Sequence, residues 1–258
     1  MTSANYLLEV CVGSVADVEA AIAAGADRLE LCAGLELGGL TPSIGLVETV
    51  VAMSKVPVIV MLRPRAGGFR YDGHEFEAML RDADQFLAAG AAGVAFGILD
   101  AAGAVDQSRT RELVARVGSR QSVIHRAFDF LADQFAGLET AIEIGVTRIL
   151  TSGGRASAID GAARLRELAA RGSDKIELMA GGGINGASIG RLAEETPLRQ
   201  FHIGASGPAD DGSIRADGSI NLCDQRFFQG AAYRTVVGQQ VADVAAALGR
   251  TTQSARPL

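Results

Sequence analysis

The sequence predicts a (β/α)8 barrel, the TIM-barrel architecture, built as one domain. Three observations carry that reading. Eight short runs of aliphatic and β-branched residues recur along the chain, and segments with apolar residues at helical spacing separate them. The 258 residues then divide into eight βα units of about 30 residues, a size and count that suit the barrel. An open, doubly wound sheet is the competing arrangement of the same alternation.

The first strand is expected at residues 7–11, followed by a helix whose stripe is Val15, Val18, Ala21 and Ile22. That helix stops at Ala23-Ala24-Gly25-Ala26-Asp27, where glycine permits a left-handed cap before the chain enters a strand at residues 28–32. A third strand is expected at 58–63. The helix after it shows Phe76, Met79, Leu80, Ala83, Phe86 and Leu87 on one face and closes on Gly90. Strands at 93–97 and 122–126 follow, and a helix ending at Glu143-Ile144-Gly145-Val146-Thr147 leads into strand 148–152. The last two strands are expected at 175–180 and 199–203. Residues 205–234 have no clear period and read as a long loop after strand eight; residues 235–248 read as the eighth helix. No linker divides the chain, so residues 1–250 are expected to form the single domain and 251–258 a flexible tail.

Composition excludes several function classes. A hydrophobic content of 48% with 21% charged residues describes a chain with a substantial core, not a disordered one. The net charge of −6 and the lack of any basic block argue against nucleic acid as a partner. No apolar stretch reaches the ~18 residues of a membrane span. The polar residues 1–6 lack the features of a secretory signal, so a cytoplasmic location is expected. Three cysteines, two of them on predicted strands, suit a reduced compartment better than a disulfide framework.

A buried strand does not tolerate charge along its length, yet four of the runs end in reactive groups: Glu9 and Cys11, Glu30 and Cys32, Arg63 and Arg65, and His125, Arg126 and Asp129. A site at the carboxyl edge of the barrel explains them. Residues two apart on a strand share a side, so Glu9 with Cys11 and Glu30 with Cys32 are expected to point inward. Glu9, Glu30, His125 and Asp129 are the acid–base candidates. His125 and His202 are read as groups able to titrate near neutrality, whereas His74, at a helix start, reads as solvated. In the other reading, Glu9, Glu30 and Arg63 form a purely structural ion-paired cluster.

The turns Thr151-Ser152-Gly153-Gly154, Ala180-Gly181-Gly182-Gly183 and Ile203-Gly204-Ala205-Ser206 suggest an anion cradle of backbone N–H groups. Its members would be Ser152, Gly153, Gly181, Gly182, Gly183, Gly204 and Ser206, with Arg63 and Arg65 assisting; tight connection alone is the plainer reading of each turn. Cys11 and Cys32, ending adjacent strands about 4.8 Å apart, suit a soft ion such as Cu(I), although paired core cysteines are common without metal. No organic cofactor is implied.

Several of these runs are similar to one family. Leu8-Glu9-Val10-Cys11, Gly25-Ala26-Asp27-Arg28-Leu29-Glu30-Leu31-Cys32 and Gly38-Gly39-Leu40-Thr41-Pro42-Ser43 resemble the CutC copper homeostasis family. So do Arg63-Pro64-Arg65-Ala66-Gly67-Gly68-Phe69, Gly97-Ile98-Leu99-Asp100, His125-Arg126-Ala127-Phe128-Asp129 and Arg148-Ile149-Leu150-Thr151-Ser152-Gly153. The resemblance implies a cytoplasmic (β/α)8 barrel that handles copper, with Cu(I) bound through cysteines and the chain assembled as a homo-oligomer, a dimer or tetramer. The chain departs from the family where Cys11 is followed by Val12 instead of a second cysteine, and in the segment after Ser206, where Cys223 has no counterpart. The residue types by themselves also suit an enzyme acting on a small phosphorylated or otherwise anionic metabolite by acid–base chemistry.

Overall fold

The computed structural model describes residues 6–210, 212–213 and 233–249. Eight strands close into a barrel in sequence order: β1 (Leu7–Val12), β2 (Arg28–Leu31), β3 (Val58–Met61), β4 (Gly93–Phe96), β5 (Gln121–Ile124), β6 (Arg148–Thr151), β7 (Glu177–Gly181) and β8 (Gln200–Ile203). Every neighbouring pair is parallel, and β8 closes on β1 with His202 opposite Glu9. The expected TIM barrel is thus present, with strand ends one or two residues from those read in the sequence.

Helices alternate with the strands: α1 (Val15–Ala23), α2 (Ile44–Met53), α3 (Gly73–Ala88), α4 (Gln107–Val117), α5 (Gln134–Ile144), α6 (Ala162–Gly172), α7 (Gly186–Glu195) and α8 (Gly238–Ala247). Short polar side chains start many of them. Ser14, Ser43, Asp106, Asp133 and Asn185 accept from backbone N–H groups of the first turn, and Asp72 with Glu75 forms a reciprocal capping box on α3. Among the described residues no helix is long and apolar enough to cross a membrane.

The period-2 alternation of the strands sorts their side chains into two cores. One set, including Leu8, Val10, Leu29, Leu31, Val60, Phe96 and Phe201, packs outward against the helices. The other set, Cys32, Ile59, Met61, Ala95, Val123, Leu150 and Met179, fills the barrel interior. β4 must be thin on its inner side. A Cβ at Gly93 would lie 2.1 Å from the carbonyl oxygen of Gln121 on the next strand, so only glycine fits there.

The chain after β8 departs from the expected loop. Residues 206–209 form β9 (Ser206–Ala209), which pairs antiparallel with β10 (Tyr233–Val236), and α8 therefore begins at Gly238, three residues later than its pattern suggested. Asp17 anchors this hairpin: its carboxylate accepts from the Thr235 hydroxyl and the Val236 N–H, both at 2.6 Å. The expectations for residues 214–232, which include Cys223, and for the tail 251–258 lie outside the described residues.

Candidate functional site

The inner face of β8, β1 and β2 carries a column of polar side chains. Glu9, Arg28 and Glu30 are buried in it, at 1%, 3% and 3% exposure. Arg28 donates through Nε to Glu9 and through its terminal nitrogen to Gln200 at 2.9 Å and to the Met179 sulfur at 3.2 Å. The other Glu9 oxygen meets His202 Nδ1 at 2.8 Å, while His202 Nε2 stands 3.8 Å from Glu30 Oε2. Above them the Cys11 and Cys32 sulfurs are 3.7 Å apart, and the Cys32 thiol donates to Glu30 Oε2 at 3.6 Å. The register sets this arrangement directly, since Glu9 pairs with Arg28 and Cys11 with Glu30.

Each group shifts the others. Burial pushes the Glu9 carboxyl up, but the His202 hydrogen bond and the charges of Arg28 and His202 outweigh it and leave it at about 2. Glu30 is raised to about 8: burial dominates, His202 opposes it, and the negative charges of Cys11 and Glu9 add to it. The Cys11 thiol is lowered to about 6, chiefly by its hydrogen bond with Cys32, against burial and with help from His202. Cys32 is pushed well above the usual thiol range by that same hydrogen bond and by burial. His202 is pushed down by burial, yet the negative charge of Glu30 in its ionised form and the bonds to Cys11 and Glu9 raise it well above 6.5. At neutral pH, then, Arg28 and His202 are balanced by Glu9 and the Cys11 thiolate, while Glu30 and Cys32 keep their protons. A balanced cluster of this kind tolerates burial that a lone charge would not.

The column opens into a cavity of about 390 Å³ at the carboxyl end of the strands, lined by Cys11, Glu30, Met61, Arg63, Phe69, His125, Arg126, Phe130, Leu150, His202, Gly204 and Ser206 among others. The structure thus brings Cys11, Glu30, Arg63, His125, Gly204 and Ser206 to one mouth. Gly39, at φ +85°, forms part of the rim, and a Cβ on it would come within 3.1 Å of the Cys32 sulfur.

Several expectations need correction. Arg63 does not join Glu9 and Glu30; its guanidinium is held by the carbonyl oxygens of Leu37, Gly39 and Gly67, and Arg28 is the cation on Glu9. Arg65 turns outward to Glu75 and to the carbonyl oxygens of Ala66, Gly68 and Arg70. His125 does not titrate near neutrality: burial and the charge of Arg63 press it down to about 3. Asp129 faces the turn after β6, not the cavity. It accepts from the Thr151 and Ser152 hydroxyls and from the Ser152 and Gly154 N–H groups, and it pairs with Arg126 at 2.8 Å. With the Gly153 N–H on the Thr151 hydroxyl, that turn has its donors engaged by the chain's own side chains. Gly181 lies beside His202, and Gly182 packs beneath the Arg126 guanidinium, where a Cβ would meet it at 3.2 Å; Gly183 lies against Ser157.

Arg28 was not singled out in the sequence. Its signal was parity: residue 28 lies two before Glu30, so both must face inward. Among the described residues two groups of donors lie close enough to share one metal ion, Cys11 with Glu30 and Cys32, and Glu9 with Glu30 and His202, each set within 4.8 Å.

Comparison with known proteins is consistent in one direction. A profile of the CutC family matches residues 6–207. A CutC family protein from Caulobacter vibrioides is 42% identical over 216 residues, 84% of this chain and 88% of its own length. One from Treponema denticola is 38% identical over 229 residues, 89% of this chain and 91% of that protein. Among solved structures, a CutC protein from Streptococcus agalactiae, provisionally named for copper homeostasis, superposes with a TM-score of 0.72 at 28% identity, covering 76% of this chain and 97% of that one. Phosphoribosylanthranilate isomerase from Thermotoga maritima matches at a TM-score of 0.55 and 11% identity over 95% of this chain and 98% of its own, a likeness of fold alone.

Proposed function

The chain belongs to the CutC family, and from that premise we propose that it handles copper in the cell by binding Cu(I) between Cys11 and Cys32. The observation that carries this reading is the pair of sulfurs 3.7 Å apart, with Cys11 lining the cavity and Cys32 buried behind it. Two thiolate bonds of about 2.3 Å span at most about 4.6 Å, so both sulfurs can reach one ion. Thiolates suit monovalent copper because both are soft, and a bound ion would supply Lewis acidity matched to sulfur.

The surrounding residues prepare the thiols. A thiol must lose its proton to become a ligand. Cys11, lowered to about 6, has done so at neutral pH, whereas Cys32 still holds its proton and directs it at Glu30 Oε2. Glu30, which keeps its own proton at neutral pH, does not take that one, which leaves to solvent as the ion binds; the Glu30 carboxyl is within reach as a third, harder donor. His202 keeps positive charge beside Cys11, and Arg28 through Glu9 holds His202 in place. The reading as an enzyme of anionic metabolites is not favoured, since Asp129 engages the turn amides it would use.

Competition with a colorimetric Cu(I) chelator tests the proposal on the reduced full chain. One Cu(I) per chain should bind, and Cys11→Ser or Cys32→Ser should each weaken it by more than the roughly 10–100-fold that loss of an outer-shell partner costs. An unaltered chain that holds Cu(I) no better than the double serine variant sinks it.

A further inference from the structure

The wall of the cavity facing the cysteines is cationic and short of acceptors. Arg63 is 7% exposed, and its guanidinium donates to three carbonyl oxygens: Leu37 at 2.8 Å, Gly67 at 2.9 Å and Gly39 at 3.0 Å. Among the described residues it takes part in no ion pair. Carbonyl dipoles solvate a cation but leave its full charge in place, so a buried guanidinium of this kind favours an anion beside it. His125, 4% exposed, lines the same cavity. Its Nδ1 accepts from the Ala127 N–H at 3.0 Å, which puts the ring hydrogen on Nε2, and Nε2 has no hydrogen-bond partner. A buried donor left unpaired is costly, and an acceptor in the cavity would recover that cost.

The two groups share a neighbour. Phe69 carries the Arg63 guanidinium 5.3 Å from its ring centre and stacks on His125 at 5.2 Å. Phe130, 68% exposed at the rim, packs on Phe69 at 5.6 Å, so an apolar face stands next to the donors with nothing over it among the described residues. We propose that this cavity binds a small organic monocarboxylate, its carboxylate between Arg63 and His125 Nε2 and its apolar body against Phe69 and Phe130. One unneutralised cation and one neutral N–H match a single negative charge. A dianion such as phosphate would find its further donors, the Ser152 and Gly154 amides, already engaged. The site goes beyond copper handling and needs no metal, so its failure would leave the thiol reading untouched.

Calorimetric titration of the full chain, reduced and free of copper, decides the matter with three probes: 3-phenylpropionate, its neutral amide 3-phenylpropanamide, and inorganic phosphate. The acid should bind at least about tenfold tighter than the amide, the effect of one charge-assisted contact. Phosphate should fail to displace it, and the His125 Nε2 nitrogen resonance should move with the acid alone. Arg63→Met should bring the acid down to the affinity of the amide, while Arg63→Lys, which keeps the cation, should keep part of the preference. Equal affinity for acid and amide in the unaltered chain overturns the proposal, as does phosphate displacing the acid at matched concentration, or a folded Arg63→Met chain that retains the preference.

Discussion

Glu30 and His125 line the same mouth and respond to pH in opposite senses. Glu30 ordinarily ionises near 4.5 but is held at about 8, so above 4.5 the folded chain keeps a proton that the unfolded chain releases, and stability falls as pH rises. His125 is pressed from 6.5 to about 3, so the unfolded chain binds a proton that the folded chain refuses, and stability rises with pH between those values. Each slope reaches about 1.4 kcal/mol per pH unit, and the two largely offset one another between about pH 4.5 and 5.5, below the value of about 6 at which Cys11 is half ionised. Urea unfolding across that window should therefore give a nearly flat profile for the unaltered chain. Glu30→Gln should tilt it upward with pH, and His125→Asn, which keeps an acceptor for the Ala127 N–H, should tilt it downward. Parallel profiles for all three chains would show that these side chains are not buried in the forms described. None of this was legible from residue type, because a histidine at a strand end has an ordinary pKa until burial and Arg63 are known.

At the scale of elements, the short helical turn after β5 organises the turn after β6. Asp129 reaches across 23 residues to accept both the Ser152 N–H and its hydroxyl, and takes the Gly154 N–H at 3.0 Å. The glycines at 153 and 154 were legible as a turn shaped around an anion, but a sequence does not show that the anion is the chain's own carboxylate. The same blindness applies to Arg63: strand order suggests a cluster with Glu9 and Glu30, but the β1–β2 register sets Arg28 opposite Glu9, and the closing of β8 on β1 sets His202 there. Asp129→Ala should cost about 3 kcal/mol or more, since it strands several donors at once, and Asp129→Asn roughly half of that. Hydrogen exchange should quicken at Ser152 and Gly154 while the amides of β1 and β2 hold. A loss below about 1 kcal/mol with unchanged exchange at those two residues would remove Asp129 from this role.

For the whole molecule, strand and helix alternation was enough to read the barrel, because each strand is short, aliphatic and followed by an amphipathic stretch with a glycine stop. The hairpin of β9 and β10 escaped that reading. Ser206-Gly207-Pro208-Ala209 has no β-branched residue and contains glycine and proline, the two residues least suited to a strand, so only its pairing with Tyr233–Val236 reveals it. A carboxylate on α1 helps attach this hairpin to the barrel, beside the packing of β10 on α1 and the burial of Val236. Asp17, 1% exposed, accepts from the Gly13 N–H at 2.9 Å as well as from Thr235 and Val236, and so joins parts of the chain 218 residues apart. Asp17→Ala leaves buried donors on both sides without an acceptor, and should lower stability by about 3 kcal/mol. The loss should be uneven. α8, which packs on α1 and α7, and β10 should gain exchange at low denaturant, whereas β1 to β8 should open only with global unfolding. Because Arg234 on β10 donates to the Ser206 hydroxyl at 3.0 Å, and Ser206 lines the cavity, loosening the hairpin should also widen the mouth and speed alkylation of Cys11. Unchanged protection in β10 and α8, together with an unchanged alkylation rate, would show that the hairpin is held by contacts other than Asp17.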